Sequence, residues 1–479
     1  MNTRFDIFRR SWPTTIAWAA LLLLTGTVSS AQTPAAARPA AEPADYAEFR
    51  KLLDAQQYEE AAAQARKRVD AAALQAEAGD ELQVALMNLA VAQHLGGDYA
   101  GAEESYLRVI ELIDASGRRT NPRLARAQAG LASTYYAGKR YDLAAERFEI
   151  AVALSRRTEG LFNDEQLPLL EQYADTLTEL NRMQDALRVR SYALRVVERK
   201  DGPASLRYAL ELESLGRWYA RVRAYDASRA SLRRAIEIVE DAKGANAIEL
   251  IGPLTALGDC ARRQLLDPVL QDTNSADDQR RSMFHDAMAP SAPGVSSGTI
   301  SAEGQKALER AVAIASNRPD PSPIQVADVR TQLGDWYQSR LQFDRALPNY
   351  QLAWQAASGA QVGGKPLTEL LFARPVLLHY LPPDSWDRYS GRPAGETTVR
   401  NVQVEFTVTA QGRVVAPRVI AEGGDAQHGA RTVKAAAGAR YRPRFDKGQP
   451  VDTPAVRLDQ PFYVLVETEA PAESPKPGG

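Results

Sequence analysis

The residues able to do chemistry are few and scattered. One cysteine, Cys260, and four histidines, His94, His285, His379 and His428, stand among 479 residues. A nucleophilic thiol needs an electropositive, partly exposed setting. Cys260 falls instead among small residues on a helical pattern, which reads as a packed structural thiol. The histidines fall in a helix, a loop-like insertion, a strand-like segment and the start of a second helix. None has a ligand or triad partner near it in sequence. Glu103-Glu104 and Asp277-Asp278 read as ordinary surface charge. Gly363-Gly364 and Gly423-Gly424 read as linker and turn, and no phosphate-cradling glycine loop follows a strand. These residues assign no catalytic group, no metal ligand and no cofactor, so the sequence reads as that of a non-enzyme.

Composition narrows the classes further. Hydrophobic residues make up 44% and charged residues 25%, ordinary for a folded soluble chain. Lys and Arg number 58 against 60 Asp and Glu. Such balance lacks the basic footprint of a nucleic-acid binder. One cysteine excludes an intramolecular disulfide and a multi-cysteine zinc site.

The start of the chain reads as an export signal. Arg4, Arg9 and Arg10 precede an apolar stretch, Ile16 to Leu24, and Ser29-Ser30-Ala31 supplies the small residues of a cleavage site before Gln32. Residues 1–31 are therefore expected to be a signal peptide and 32–44 a flexible leader. The expected location is the periplasm of a Gram-negative cell envelope. An uncleaved inner-membrane anchor is the alternative.

The elements that would position any site follow one register. Tyr99, Tyr141, Met183 and Tyr225 are 42 residues apart. Ten residues earlier stand Leu89, Leu131, Tyr173 and Leu215, each followed by Ala or Gly. Ala102, Ala144, Ala186 and Ser228 follow the first set by three residues. Val109, Ala151, Ala193 and Ala235 come seven residues further on. The register reaches Leu257-Gly258, breaks, and resumes at Gly304, Leu308 and Ala311, displaced by 34 residues. A last unit carries Leu333, Gly334, Tyr337, Phe343, Ala346, Tyr350 and Ala353. Spacings of 3, 4 and 7 place these residues on helix faces. Each unit is then a helix pair that must stack on its neighbours to bury its apolar face. The break marks a loop insertion near 267–300, in which Asp278 to Met288 suits a short helix.

This pattern resembles the tetratricopeptide repeat family, in the longer 42-residue form of kinesin light chains. Gly97 and Gly138 stand near the family's inter-helix turn. The resemblance covers about Glu81 to Ala357, with residues 45–78 as a degenerate leading pair. It implies a helical solenoid over 45–357 that holds a protein or peptide on a concave face lined by first helices. Mapped here, that face carries Glu171, Asp175, Glu179, Glu213, Arg217, Arg221, Asp259, Arg262, Arg263, Asp328 and Asp335. Met87, His94 and Tyr136 fall at its less charged end. A solvated helix face is the competing reading of the same charges. The Lys and Asn set of carboxylate-clamp repeats is not reproduced.

After Gly364 the character changes. Val402, Val404, Phe406 and Val408 alternate with polar residues, as in a half-buried strand. Gln411-Gly412 is a turn, and 413–421 reads as the second strand of a hairpin. Asp425 is a candidate N-cap for a helix running to Arg440, which Tyr441-Arg442-Pro443 ends. Gly448-Gln449-Pro450 is a further turn, and Ala455 to Val466 reads as a third strand. The tail 468–479 is expected to be disordered. The fold class is thus mostly α, a solenoid followed by a small α+β domain of β-β-α-β order.

Val404-Glu405-Phe406-Thr407-Val408, Gln411-Gly412-Arg413-Val414, Tyr441-Arg442-Pro443 and Gly448-Gln449-Pro450-Val451, in this order, resemble the C-terminal domain of TonB-type energy transducers. Ala373-Arg374-Pro375 to Leu381-Pro382-Pro383 resembles its lead-in, so the domain is placed at 366–467. The resemblance implies contact with outer-membrane TonB-dependent transporters, through an extended peptide added beside the last strand. Carried over, that edge comprises Val456, Leu458, Phe462, Val464 and Val466, interrupted by the donor-less Pro461. Family transducers also carry a membrane helix bearing Ser and His. Ile16 to Leu24 has neither, so the chain is transducer-like without a claim of energy coupling. The leading expectation is a periplasmic interaction scaffold. An anchored transducer and an accessory subunit of an envelope enzyme are the alternatives.

Overall fold

The computed structural model describes residues 44–75, 79–117, 121–267, 296–383, 397–423 and 426–465. The expected signal segment, nearly all of the leader, the body of the insertion with Asp278–Met288, the N-cap Asp425 and the tail lie outside these residues.

Sixteen α-helices are formed among the described residues. They pair as α1 (Ala44–Asp54) with α2 (Tyr58–Ala73), α3 (Gly79–Gly96) with α4 (Tyr99–Ala115), α5 (Pro122–Ala137) with α6 (Tyr141–Glu159), and α7 (Leu167–Glu179) with α8 (Met183–Asp201). Then follow α9 (Leu206–Arg221), α10 (Tyr225–Lys243), α11 (Ile251–Leu266), α12 (Ser297–Ser316), α13 (Pro323–Ser339) and α14 (Phe343–Ala357). The expected leading pair is thus a helix pair. The insertion separates α11 from α12, the two helices of one unit.

The 42-residue register is written in the turns as well as in the core. Within pairs, the left-handed residue is Gly97 (φ 84°), Lys139 (61°), Asn181 (58°), Arg223 (66°) and, after the insertion, Leu341 (63°). The next N–H closes a six-residue loop in each case: Asp98 to the Gln93 carbonyl, Arg140 to Tyr135, Arg182 to Leu177, Ala224 to Tyr219 and Gln342 to Tyr337, all at 2.8–2.9 Å. This is a Schellman closure of the first helix. Gly138, expected at the turn, has φ −76°; Lys139 takes the left-handed position. Gly160, Gly202 and Gly244, again 42 apart, end the second helices with φ of 96°, 86° and 90°. Those helices, α6, α8 and α10, run 19 residues each, which lengthens the period.

The described chain forms two compact units, split between Glu211 and Leu212 inside α9. The first unit buries Tyr106, Ile113, Leu131, Phe148, Leu170 and Val196 around fully buried Ala90, Ala102, Ala132 and Ala144. Small residues there let helices approach, as the sequence pattern requires. The second unit buries Trp218, Leu232, Leu308, Trp336 and Tyr350. A Cβ built at Gly334 would run into the Tyr350 ring, so glycine is needed for α13 and α14 to pack.

The second unit also contains the strands. A short hairpin, β1 (Gln361–Val362) and β2 (Lys365–Pro366), leads into α15 (Leu367–Phe372). Three antiparallel strands, β4 (Thr397–Val408), β5 (Val414–Glu422) and β9 (Thr453–Leu465), form a sheet of order β5-β4-β9. Val402, Val404, Phe406 and Val408 face a core completed by Val414, Leu458, Phe462 and α16 (Ala426–Ala437). The helix ends at Ala437 rather than Arg440. Residues after it form β6 (Arg440–Arg442), which pairs with β3 (Val376–His379), and a hairpin of β7 (Arg444–Asp446) and β8 (Gln449–Val451). Pro443 interrupts these strands, and Lys447-Gly448, both at positive φ, make the hairpin turn. Tyr441-Arg442 is therefore strand, not a helix end.

Candidate protein-binding surfaces

The candidate groove charges are largely neutralised within the chain. In the first unit, Asp175 holds Arg190 of α8 at 2.7 Å, with their side chains 15% and 6% exposed. Glu171 is half-buried and Glu179 exposed. Glu211, which no sequence motif marks, has its carboxyl pushed up by burial and by the neighbouring Glu171 charge. Met87 is buried. His94 packs against Tyr99 and bonds Thr134 Oγ1 at 3.2 Å, and Tyr136 packs edge-on against Tyr141.

In the second unit, Glu213 accepts two bonds from Arg217 on the next turn of α9, and Arg217 also donates to the Gly252 carbonyl at 3.0 Å. Asp259 binds Arg262 and Arg263, each at 2.6 Å. These two guanidinium groups outweigh burial and hold its carboxyl well below the usual carboxylate range. Asp328 accepts from Gln332 at 2.9 Å, and burial pushes its carboxyl up. Arg221 is exposed. Most of these charges pair on their own helix, as spacings of three and four residues allow.

Asp335 has a different fate. Its carboxylate takes Arg442 Nε at 2.9 Å and Nη2 at 2.6 Å, and the Tyr350 hydroxyl at 2.9 Å. Arg442 belongs to β6, so the residues after the repeats occupy this groove position themselves. Its third nitrogen, Nη1, donates to the Leu371 carbonyl at 2.9 Å. Around this pair Tyr350, Trp354, Phe372 and Phe445 form an aromatic cluster with centroids 4.9–6.2 Å apart. Gln338 Nε2 donates to the Gln411 and Tyr441 carbonyls, and the Gly412 carbonyl accepts from Tyr441 N–H. A side chain at Gly412 would strike the Tyr441 carbonyl. The Gln411-Gly412 turn is thus a contact point on α13 as well as the end of a hairpin.

The second candidate surface is β9, at one edge of the sheet. Among the described strands, nothing pairs with its outer side. Which main-chain groups face outward follows from one bond: the Asn401 carbonyl accepts from Gly423 N–H at 3.0 Å, on the β5 side. N–H and C=O of one residue point to the same side of an antiparallel strand, and the side alternates. Val402 therefore faces β9 and bonds its partner Gln460, while Asn401 and its partner Pro461 form a non-bonded pair. By this alternation Val456, Leu458, Phe462 and Val464 turn their main chain inward to β4. Leu458 and Phe462 also turn their side chains into the core. The outward groups belong to Arg457, Asp459, Pro461, Tyr463 and Leu465. Val466 lies outside the described residues. Pro461 breaks no bond with β4; its missing donor is on the open side.

The candidate nucleophile, Cys260, packs inside the second unit. Cys260 is fully buried, touches the Tyr225 carbonyl at 3.7 Å, and burial pushes its thiol up to about 11. His285 lies outside the described residues. Among the described residues no three His, Cys, Asp or Glu side chains gather as metal ligands, and no helix is long and apolar enough to cross a membrane.

Residues 81–157 match the tetratricopeptide repeat family. The matched span begins in α3 and ends in α6, two of the helix pairs described above. Similar solved structures include a Podosopora anserina protein described as a kinesin light chain with nearly identical TPR-like repeats (18% identity, TM-score 0.39, covering 42% of this chain and 95% of that one). Another is BtubC (BKLC) from P. vanneervenii (18%, 0.34, 64% and 93%). A third is the apo form of the quorum sensor NprR from B. thuringiensis (13%, 0.33, 65% and 86%). No curated protein matches the chain. The chain is a mostly helical, tetratricopeptide-like solenoid with a small strand-containing C-terminal region. Tetratricopeptide repeats bind protein partners, so the solenoid is a protein–protein interaction scaffold.

Proposed function

We propose that this scaffold works in the periplasm and carries a TonB-like domain that takes an extended peptide of an outer-membrane transporter at the β9 edge. The observation that carries this reading is the sheet order β5-β4-β9, which leaves Thr453–Leu465 at an edge. An edge of this length offers outward N–H and C=O groups to a further strand. The export-type start before Gln32 and the order of the TonB-like motifs support the location and the partner class. The solenoid would hold a second protein at its concave face, near Glu171 and Glu211 in the first unit, where burial and the Glu171 charge push the Glu211 carboxyl up against the opposing pull of Arg190 and Arg207.

The test uses the full chain from Gln32, because Arg442 and Phe445 tie the sheet region to α13–α15. A synthetic peptide from the periplasm-facing segment of a TonB-dependent transporter is added, and amide exchange is followed by mass spectrometry. Slower exchange confined to β9 is the expected result. Unchanged exchange at millimolar peptide would sink the strand-addition reading. N-terminal sequencing of exported protein should give a start at Gln32; an intact N-terminus would favour the anchored alternative.

A further inference from the structure

The open edge of β9 carries a stop at its middle. Pro461 has no N–H, and its N and C=O face outward, away from β4. Its carbonyl is already taken: Gln460 Nε2 donates to it at 2.9 Å. Gln460 is only 2% exposed, and its Oε1 accepts from the Tyr380 hydroxyl at 2.9 Å. The amide is therefore oriented by a residue of the segment after β3 and held against the strand edge. At position 461 the edge offers an arriving strand no donor, and its one acceptor is shared with the Gln460 amide. On the N-terminal side, Ala455 has φ 56°, where the pairing with β4 shifts between Phe406 and Val408. Such an irregularity bends and twists a strand. Between the two interruptions only Arg457 and Asp459 present outward groups.

We infer that Pro461, with the Gln460 amide seated on its carbonyl and held by Tyr380, blocks continuous pairing of β9 with the β9 of a second copy of this chain. Two identical antiparallel edges brought together around a two-fold axis would place the same gap in both strands. Between the Ala455 irregularity and Pro461 the resulting ladder would keep only two bonded residues per chain, Arg457 and Asp459, too few to hold two chains there. A single peptide brings no stop of its own and meets the gap in one strand only, so the stop does not exclude the peptide reading, and the inference stands without it.

The test compares the natural chain from Gln32 with Q460A/P461V, which restores the missing donor and frees the acceptor. The new N–H at 461 faces outward and disturbs no bond to β4, while Q460A leaves the Tyr380 hydroxyl without its acceptor, so circular dichroism first checks that the double variant is folded. Sedimentation velocity and amide exchange of β9 are measured over a hundredfold concentration range. The double variant should associate through β9, with its exchange slowed about tenfold at the highest concentration. The natural chain should show no concentration-dependent slowing there. Tyr380→Phe, which releases the amide and leaves β9 intact, should give a smaller effect in the same direction. P461V alone serves if the double variant does not fold. A folded variant whose β9 exchange and sedimentation match the natural chain at every concentration would overturn the inference. So would a natural chain whose β9 is already protected by self-association. A transporter peptide slows the same amides without changing the sedimenting species, so the two ideas fail separately.

Discussion

Arg442 grips Asp335 with two nitrogens on two oxygens, at 2.9 and 2.6 Å, and only 9% and 14% of the two side chains is exposed. The pair joins β6 to α13, 107 residues apart in sequence. A buried pair is weak evidence of net stabilisation against an apolar substitute, but removing one partner strands the other charge.

Asp335→Ala should therefore destabilise the chain by about 3–5 kcal/mol, and Arg442→Met by a similar amount. The double variant should cost clearly less than the sum, because neither charge is left alone. Urea denaturation of the full chain measures this. Additive single effects would show that the pair contributes nothing specific.

Gly334→Ala tests the close approach of α13 and α14. Ala adds one methyl where the Tyr350 ring already sits, and Tyr350 is fixed by its bond to Asp335. Overpacking of this kind costs about 1–3 kcal/mol. A variant as stable as the natural chain would mean that the two helices separate freely at this point.

Lys139→Gly tests the turns. Lys139 is held at φ 61°, a conformation glycine adopts without a Cβ penalty. Its side chain is exposed. The substitution should raise stability by up to about 1 kcal/mol, offset in part by the greater freedom of glycine in the unfolded chain. Loss of stability would mean that the lysine side chain contributes more than its backbone strain costs.

The repeat was legible because it is local. Leu131 and Ala132, or Tyr141 and Ala144, recur at a fixed interval on helix faces, and each repeat restates the same packing problem. The left-handed position was harder to see, because Gly97, Lys139, Asn181 and Leu341 share no side-chain chemistry and are alike only in φ. The charged groove was legible as a set of residues but not as a site. Asp259 finds its partners three and four residues on, whereas Asp335 finds Arg442 across the fold. No spacing rule reaches that far. The strand β9 was visible from its alternation, yet Val456 and Leu458 turned inward along with their main chains. Side-chain period reports which face is buried; it carries no information on which N–H faces the next strand.

His94 gives a pH dependence with a defined sign. Burial pushes its imidazole down to about 4 from an ordinary 6.5, and the ring stays neutral beside Thr134 in the first unit. An unfolded chain takes up this proton near pH 6.5, the folded chain only near pH 4. Between those values the unfolded state binds more protons, so stability falls as pH falls. The loss contributed by His94 is complete near pH 4 and is on the order of 3 kcal/mol. His94→Gln keeps a polar group near Thr134 and has no such proton. Its urea midpoint, followed by helical circular dichroism, should therefore fall less than that of the natural chain between pH 7 and pH 4.5. Parallel midpoints for the two chains across that range would show that His94 is open to protonation in the folded state. The helix packing around Tyr99 would then be looser than the structure has it.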